Sequence, residues 1–361
     1  DVLGSRGLGD VYKRQEKKYA IITKKKGDKM KAKYLKDNAV LYIVAPSFGC
    51  TTSPYKERLE KAILNFEKLN YRIILGENCY RNSGTAASNT PLNRAVEFMN
   101  AYASDADAIL SAGGGELMVE ILEYIDFQRI KTLPPKWFIG FSDNTNLTYT
   151  LTTICDLETV YGNNAPNFYR LPLSYDTRDT LRLLQGEKRF SGYKKWQLAE
   201  SRELFPKYKL TEEKIITAVH YTKPFGGILI GGCLDCLTGL CGTRFDYTAK
   251  YAAKHDKEGI IFFMEACDLT SIGIRRALFQ LKNAEWFANV KGFLIGRSRL
   301  YDDQSFGTTP LESYIDLLKD FNVPLLLNVD LGHLPPSLPI RCGAYATVSL
   351  EKKNIVIEYK D

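Results

Sequence analysis

Between residues 39 and 154, short apolar runs alternate with segments whose apolar side chains recur at helical spacing. This alternation is the strongest constraint on the fold, because strands that alternate with helices build a parallel sheet covered by helices on both faces. Ala39 to Ala45 is a buried-strand pattern closed by Pro46 and Ser47, and Lys56 to Leu69 repeats Leu59, Ala62, Ile63, Phe66 and Leu69 on one helical face. Strands are predicted again over 71–75, 108–111 and 137–140, with helices over 92–104, 116–125 and 145–154. In such sheets ligands bind beyond the carboxyl ends of the strands, where Pro46, Ser47, the turn Gly113–Gly115 and the pair Ser142 and Asp143 fall.

Residues 166–225 break the pattern. They are polar, rich in Lys, Arg and Tyr, and poorly periodic, and they read as an interdomain connection with an insertion. The aromatic stretch Tyr193 to Tyr221 either lines a cleft or packs that insertion; packing is the expectation. A second α/β unit comes next, with strands over 225–232, 259–265, 290–296 and 323–328, helices over 234–240, 271–289 and 311–320, and a hairpin over 344–350 and 354–359. The expected division is an extension over 1–36, a domain over 37–165, the connection over 166–225 and a domain over 226–361. Segment 1–15 has no periodicity and reads as an artefact of gene assembly.

Composition excludes several classes. With 361 residues, 45% apolar and 25% charged, the chain needs neither disulfides nor a structural metal to hold a core. No apolar run approaches the ~20 residues of a membrane span. The net charge of +7 is scattered, densest from Lys24 to Lys36, and no basic stripe interleaved with aromatics points to nucleic acid. The surplus suits anionic ligands. The eight cysteines lie mostly in apolar segments, which fits reduced thiols in a cytoplasmic protein. Cys233 and Cys236 have C-x-x-C spacing, but no second pair or nearby histidine makes a zinc site.

Three features could carry chemistry. The turn Gly113-Gly114-Gly115 comes after a strand and precedes an amphipathic pattern, and such a turn aims backbone N–H groups into a cleft. Glu265 ends an otherwise apolar strand. His333, one of three histidines, sits between Gly332 and Pro335-Pro336 just after a strand. Glycine turn, acid and histidine come in the order of hydrolases in which a carboxylate orients an imidazole that activates a nucleophile.

Seven segments in order are similar to the LD-carboxypeptidase family of serine peptidases: 44–47, 109–114, 139–145, 227–234, 262–265, 291–296 and 332–336. The family includes muropeptide LD-carboxypeptidases and microcin C self-immunity peptidases. The resemblance spans about residues 37–361. It implies a flavodoxin-like doubly wound domain joined to a smaller β-rich domain, with a cleft for a small peptide or muropeptide with a free C-terminus. It implies no metal and no organic cofactor, and dimers are common in the family. Glu265 and His333 match the triad acid and histidine, and Gly114 and Gly115 the glycines before the nucleophile. The nucleophile itself maps to Met118, which has no hydroxyl. The Ser142-Asp143 stretch corresponds to one that supports the site without attacking. Substitutes for the missing serine are Ser111, Ser142, Thr145, Cys267 or a water activated by Glu265 and His333. Glu116 either partners a helix N-terminus or contacts a cationic ligand group. Two readings stay open: a peptidase with altered chemistry, cutting the bond to terminal D-alanine, and a non-catalytic relative that binds peptidoglycan peptides or acylated nucleotide conjugates.

Overall fold

The alternation of the first half becomes five parallel strands in the computed structural model, which describes residues 31–84, 86–199 and 203–360. The expectations for segment 1–15 and for the start of the basic cluster lie outside these residues. The strands are β1 (Val40–Val44), β2 (Arg72–Leu75), β3 (Ala108–Ser111), β4 (Trp137–Gly140) and β5 (Thr159–Tyr161). Then come β6 (Arg189–Ser191), β7 (Lys195–Trp196), β8 (Glu212–Glu213) and β9 (Thr217–Val219). The remaining strands are β10 (Phe225–Cys233), β11 (Ile260–Glu265), β12 (Val290–Gly296), β13 (Leu325–Val329), β14 (Ile340–Cys342), β15 (Tyr345–Glu351) and β16 (Asn354–Tyr359).

The first sheet has the order β14-β5-β4-β3-β1-β2. Its strands are parallel except β14, which runs antiparallel to β5. Successive residues of a strand face opposite ways, so each strand feeds two cores. In β3, Ile109 joins Phe98, Tyr102 and Met118 on one face, while Leu110 joins Leu41, Leu59 and Phe66 on the other. Helices Tyr55–Lys68 and Pro91–Ala103 supply Leu59, Phe66, Phe98 and Tyr102. Each fully buried Leu, Ile or Phe contributes roughly 1.5–3 kcal/mol, which is why an apolar strand is stable only when both faces are covered.

The second sheet has the order β6-β16-β15-β10-β11-β12-β13-β9, with β10 to β13 parallel and antiparallel strands on either side. Both of its edges come from the stretch read as a connection: β6 pairs with β16 and β9 with β13. That stretch also holds helix Tyr175–Leu184. Its aromatic residues pack as expected, with Trp196 against Tyr301 and over the Arg297 guanidinium, and the Tyr208 hydroxyl on Asp176. In return, β14 crosses back to close the first sheet.

Two predicted helices differ. The segment after the glycine turn is a 3-10 helix, Met118–Tyr124, not an α-helix over 116–125. Its entry is held by outside partners: the Arg94 guanidinium donates to the Leu117 carbonyl at 2.9 Å and Asp143 Oδ2 accepts the Met118 N–H at 2.9 Å. The helix expected to reach residue 289 ends at Asn283. There the Trp286 N–H returns to the Leu281 carbonyl, and Trp286 and Phe287 turn into the core. Among the described residues no helix is long and apolar enough to cross a membrane.

Candidate active site

The carboxyl ends of the two sheets meet. Register places Val44 opposite Ser111 and Gly140 opposite Tyr161 in the first sheet, and Cys233 opposite Glu265 in the second. The Thr145 hydroxyl accepts the Cys233 N–H at 2.9 Å, tying the first helix turn after β4 to the end of β10.

Ser142 is the first side chain of the site. It comes after β4 and a single extended residue, and leads through a short 3-10 turn into helix Thr145–Cys155. Its φ is +64°, in the left-handed region that costs a non-glycine residue about 1–3 kcal/mol. The conformation is held from several sides. The Ser142 N–H donates to Tyr161 Oη at 3.2 Å, and the Asn144 amide donates to the carbonyls of Phe141 at 3.0 Å and Gly113 at 2.9 Å. A side chain at Gly140 would place its Cβ 2.5 Å from the Asn144 side chain, so the turn requires glycine two positions before the serine. A strained serine on a strand–turn–helix junction is the geometry of a nucleophile elbow.

A closed ring of hydrogen bonds runs through this serine. Ser142 Oγ lies 2.9 Å from His333 Nε2, and His333 Nδ1 lies 2.9 Å from Glu265 Oε2. Tyr161 donates from Oη to Glu265 Oε1 at 2.6 Å and accepts the Ser142 N–H. Glu265 is fully buried and His333 is 8% exposed, while Ser142 opens onto a cleft of about 230 Å³. The loop carrying His333 lies directly on Glu265: a Cβ at Gly332, whose φ is +102°, would stand 2.6 Å from Glu265 Oε2. Behind it, the buried Arg297 donates to Asp330 Oδ1 at 2.7 Å and to the carbonyls of Leu334 and Pro336. Asp330 also takes Lys214 Nζ at 2.7 Å. Losing one partner of such a buried charge network typically costs about 3–5 kcal/mol, so these contacts anchor the histidine loop.

The electrostatics arise from this packing. Burial alone would raise the Glu265 carboxyl, but His333 and the hydrogen bonds it receives hold it below its usual value. Burial alone would lower His333; the Glu265 carboxylate outweighs that and, with Cys267, raises it well above an ordinary histidine. Burial raises the Cys267 thiol despite its interaction with His333, so it stays protonated and is a poorer nucleophile than its position suggested.

The glycine turn lies beside Ser142. A Cβ at Gly114 would be 3.1 Å from Ser142 Cβ and 3.3 Å from Oγ. Among the described residues, the N–H groups of Gly114 and Gly115 have no hydrogen-bond partner, whereas Gly113 N–H goes to Ser111 Oγ. The Ser111 hydroxyl is spent on that same turn. Asp143 organises the neighbourhood from below, taking the Ser47 hydroxyl, the Met118 N–H and the Asn146 amide. Thus Ser142, Asp143, Gly113–Gly115, Glu265 and His333 come together.

Met118 does not join them. Its side chain is 0% exposed, in the core with Ile121, Leu122 and Leu147. Met118→Ser therefore leaves a cavity and an added hydroxyl in that core. It is expected to lower unfolding stability by about 2–5 kcal/mol in denaturant titration without raising any hydrolytic activity. Glu116 is exposed, precedes the 3-10 helix, and has the carboxylates of Asp143, Asp268 and Asp235 and the Arg299 guanidinium around it.

Sequence reasoning missed Tyr161, Arg94, Arg297 and Asn146. A signal for Ser142 was present in Gly140-Phe141-Ser142, a Gly-x-Ser triplet between a strand and a helix.

Comparison with known proteins agrees with this architecture. Residues 41–162 match the family model described as the LD-carboxypeptidase N-terminal domain, and residues 226–348 match the LD-carboxypeptidase C-terminal domain. A Bacillus subtilis (strain 168) protein named as a probable murein peptide carboxypeptidase is 26% identical over 336 residues, covering 91% of this chain and 94% of that protein. Among solved structures, an MccF-like protein from Bacillus anthracis (strain Ames) superposes with a TM-score of 0.78 at 22% identity, covering 92% of this chain and all of that one. The microcin C7 self-immunity protein MccF in complex with aspartyl sulfamoyl adenosine gives 0.77 at 22% identity, covering 92% and 98%.

Proposed function

This chain belongs to the LD-carboxypeptidase family, and we propose that it is a hydrolase of amide bonds in small peptide-like ligands, with Ser142 as nucleophile in place of the residue at 118. The observation that carries this reading is the unbroken relay from Ser142 Oγ through His333 to Glu265, both contacts at 2.9 Å.

In this reading Ser142 Oγ attacks the scissile carbonyl and His333 Nε2 takes its proton. Glu265 holds Nδ1–H and stabilises the imidazolium that forms. The unpartnered N–H groups of Gly114 and Gly115 are the candidate oxyanion donors, aimed at charge that develops only in the transition state. His333 then gives the proton to the leaving amine, and water releases the acyl group by the reverse path. The site needs no metal for this, and no organic cofactor enters any step.

The substrate we favour is a muropeptide tetrapeptide cut at its terminal D-alanine, supported by the murein peptide name of the B. subtilis relative. A second substrate class, aminoacyl nucleotide conjugates, is favoured by the ligand of the superposed immunity protein. Free cysteines throughout the described chain fit a cytoplasmic setting for either. The test is release of D-alanine from the tetrapeptide, monitored by chromatography, with an aspartyl sulfamoyl adenosine in parallel. D-alanine release supports the first substrate and cleavage of the conjugate alone supports the second. Intact substrates in both sink the hydrolase reading.

A further inference from the structure

The C-x-x-C pair takes no part in the relay, yet it borders it. Cys233, Cys236 and Cys267 all line the cleft onto which Ser142 opens. Cys233 ends β10 opposite Glu265 in register, and its side chain interacts with the Glu265 carboxylate. Cys236 Sγ lies 3.7 Å from the Ser142 carbonyl oxygen and 3.9 Å from Asp143 Oδ1. Cys267 interacts with His333. Each member of the relay therefore has a thiol beside it. The remaining cysteines, at 50, 79, 155, 241 and 342, are buried and do not line the cleft.

Two of these three thiols are placed to react with each other. Cys233 is the residue before helix Leu234–Leu240, and Cys236 is the third residue of that helix. Helix geometry separates the Cα atoms of residues three apart by about 5 Å, inside the roughly 4.4–6.8 Å that a disulfide spans. The two side chains already interact, and this is the largest influence on either thiol: it lowers Cys236 and raises Cys233. Cys236 is thus the sulfur better able to carry thiolate charge, although burial and the neighbouring carboxylates keep it above an ordinary thiol. Access agrees, since Cys236 is partly exposed and Cys233 is buried. An accessible thiol with a second thiol behind it is the arrangement of a reversible oxidation site.

We propose that Cys236 and Cys233 are a modification site for hydroperoxides, a dithiol whose oxidation to a disulfide reversibly switches off the neighbouring relay. Cys236 Sγ, as the thiolate, attacks a peroxide oxygen. The O–O bond breaks, the departing hydroxide takes up the proton that the thiol released, and Cys236 becomes a sulfenic acid. Cys233 Sγ then attacks the Cys236 sulfur. The S–O bond breaks, the hydroxide leaves as water with the Cys233 proton, and the S–S bond forms. Overall two thiols are oxidised and one peroxide is reduced; with hydrogen peroxide the products are the disulfide and two waters. Joining the sulfurs draws Cys236 from the Ser142 carbonyl and Cys233 from Glu265, so the strained serine and the buried acid each lose a neighbour. A displacement of about 1 Å in such a unit costs on the order of a hundredfold in rate. The loss of activity rests on the hydrolase reading, whereas formation of the disulfide does not.

The test is peptide mapping by mass spectrometry of the full chain after treatment with hydrogen peroxide, with the remaining thiols alkylated before digestion. The expected product is a Cys233–Cys236 disulfide that dithiothreitol reverses, with Cys241 still a thiol. Hydrolysis of whichever substrate the reduced protein cleaves should fall about a hundredfold with the disulfide and return on reduction. Cys236→Ser should abolish both the disulfide and the reversible loss. Cys233→Ser removes the second thiol, and there Cys236 should be trapped by dimedone as its sulfenic acid, which keeps the test decisive if the Cys236 variant does not fold. Overoxidation of Cys236 with no disulfide, a disulfide to Cys267 instead, or a Cys233–Cys236 disulfide that leaves hydrolysis unchanged overturns the proposal. A mapped Cys233–Cys236 disulfide in a protein that cleaves neither substrate upholds the modification site and removes the hydrolase reading alone.

Discussion

Ser142→Ala is expected to lower amide hydrolysis by about a thousandfold or more, because removing one member of a nucleophile–base–acid unit disables the whole unit. The measurement is initial rate on whichever substrate the unmodified protein cleaves, with ligand binding retained. The backbone supplies a control that separates strain from the loss of the hydroxyl. At φ +64° a serine or alanine is strained, whereas glycine is not. Ser142→Gly and Ser142→Ala both lose the hydroxyl and its contact with His333, but only glycine releases the strain. The glycine variant should therefore be more stable than the alanine variant by about 1 kcal/mol, and equally inactive. Strain kept at a position where it costs stability is what a catalytic elbow requires. Full activity in Ser142→Ala would remove Ser142 from the mechanism and return attention to Cys267 or an activated water.

Met118 stands out in the sequence, while Ser142 is the residue that meets His333, and the difference has a physical cause. Linear order identifies the residues just after a glycine turn, but not which side chain an imidazole 191 residues away will reach. The strands that carry the site were legible because burial on both faces leaves a continuous apolar run, as at β1, β3 and β11. Glu265 stood out against such a run, and His333 between glycine and proline. Tyr161 did not, because its strand has three residues and its hydroxyl matters only through Glu265, 104 positions later. Asn146 is one of many polar residues on a helix that proved almost wholly buried. The edges of the second sheet were missed for another reason. β6 and β9 are three residues each, too short for a period to register, and pairing with strands more than a hundred residues away defines them.

Glu265→Gln separates the electrostatic part of this site from its shape. The side chains are nearly isosteric, so Tyr161 and the histidine loop keep their places, but the charge that stabilises an imidazolium is gone. A neutral amide at this position can also favour the wrong imidazole tautomer, a change that costs on the order of 10⁴ in turnover in other hydrolases. The pH dependence carries the sign. In the unmodified protein His333 titrates well above 6.5 and only its neutral form accepts the Ser142 proton. Thus kcat/KM should rise with pH through an inflection above the ordinary histidine value. Without the Glu265 carboxylate the largest raising influence is lost, and burial, which lowers the histidine, is opposed only by Cys267. The inflection should move down while the plateau falls. Stability obeys the same linkage. Because the folded histidine is raised, its contribution is complete below about 6.5 and fades as pH climbs through the elevated value. Glu265, held low, loses its own contribution only as pH falls through a value below 4.5. The difference in unfolding free energy between the unmodified protein and Glu265→Gln should therefore be largest between those limits and narrow toward either extreme. A variant whose rate falls with no movement of the inflection would show that Glu265 shapes the loop without setting the charge on His333.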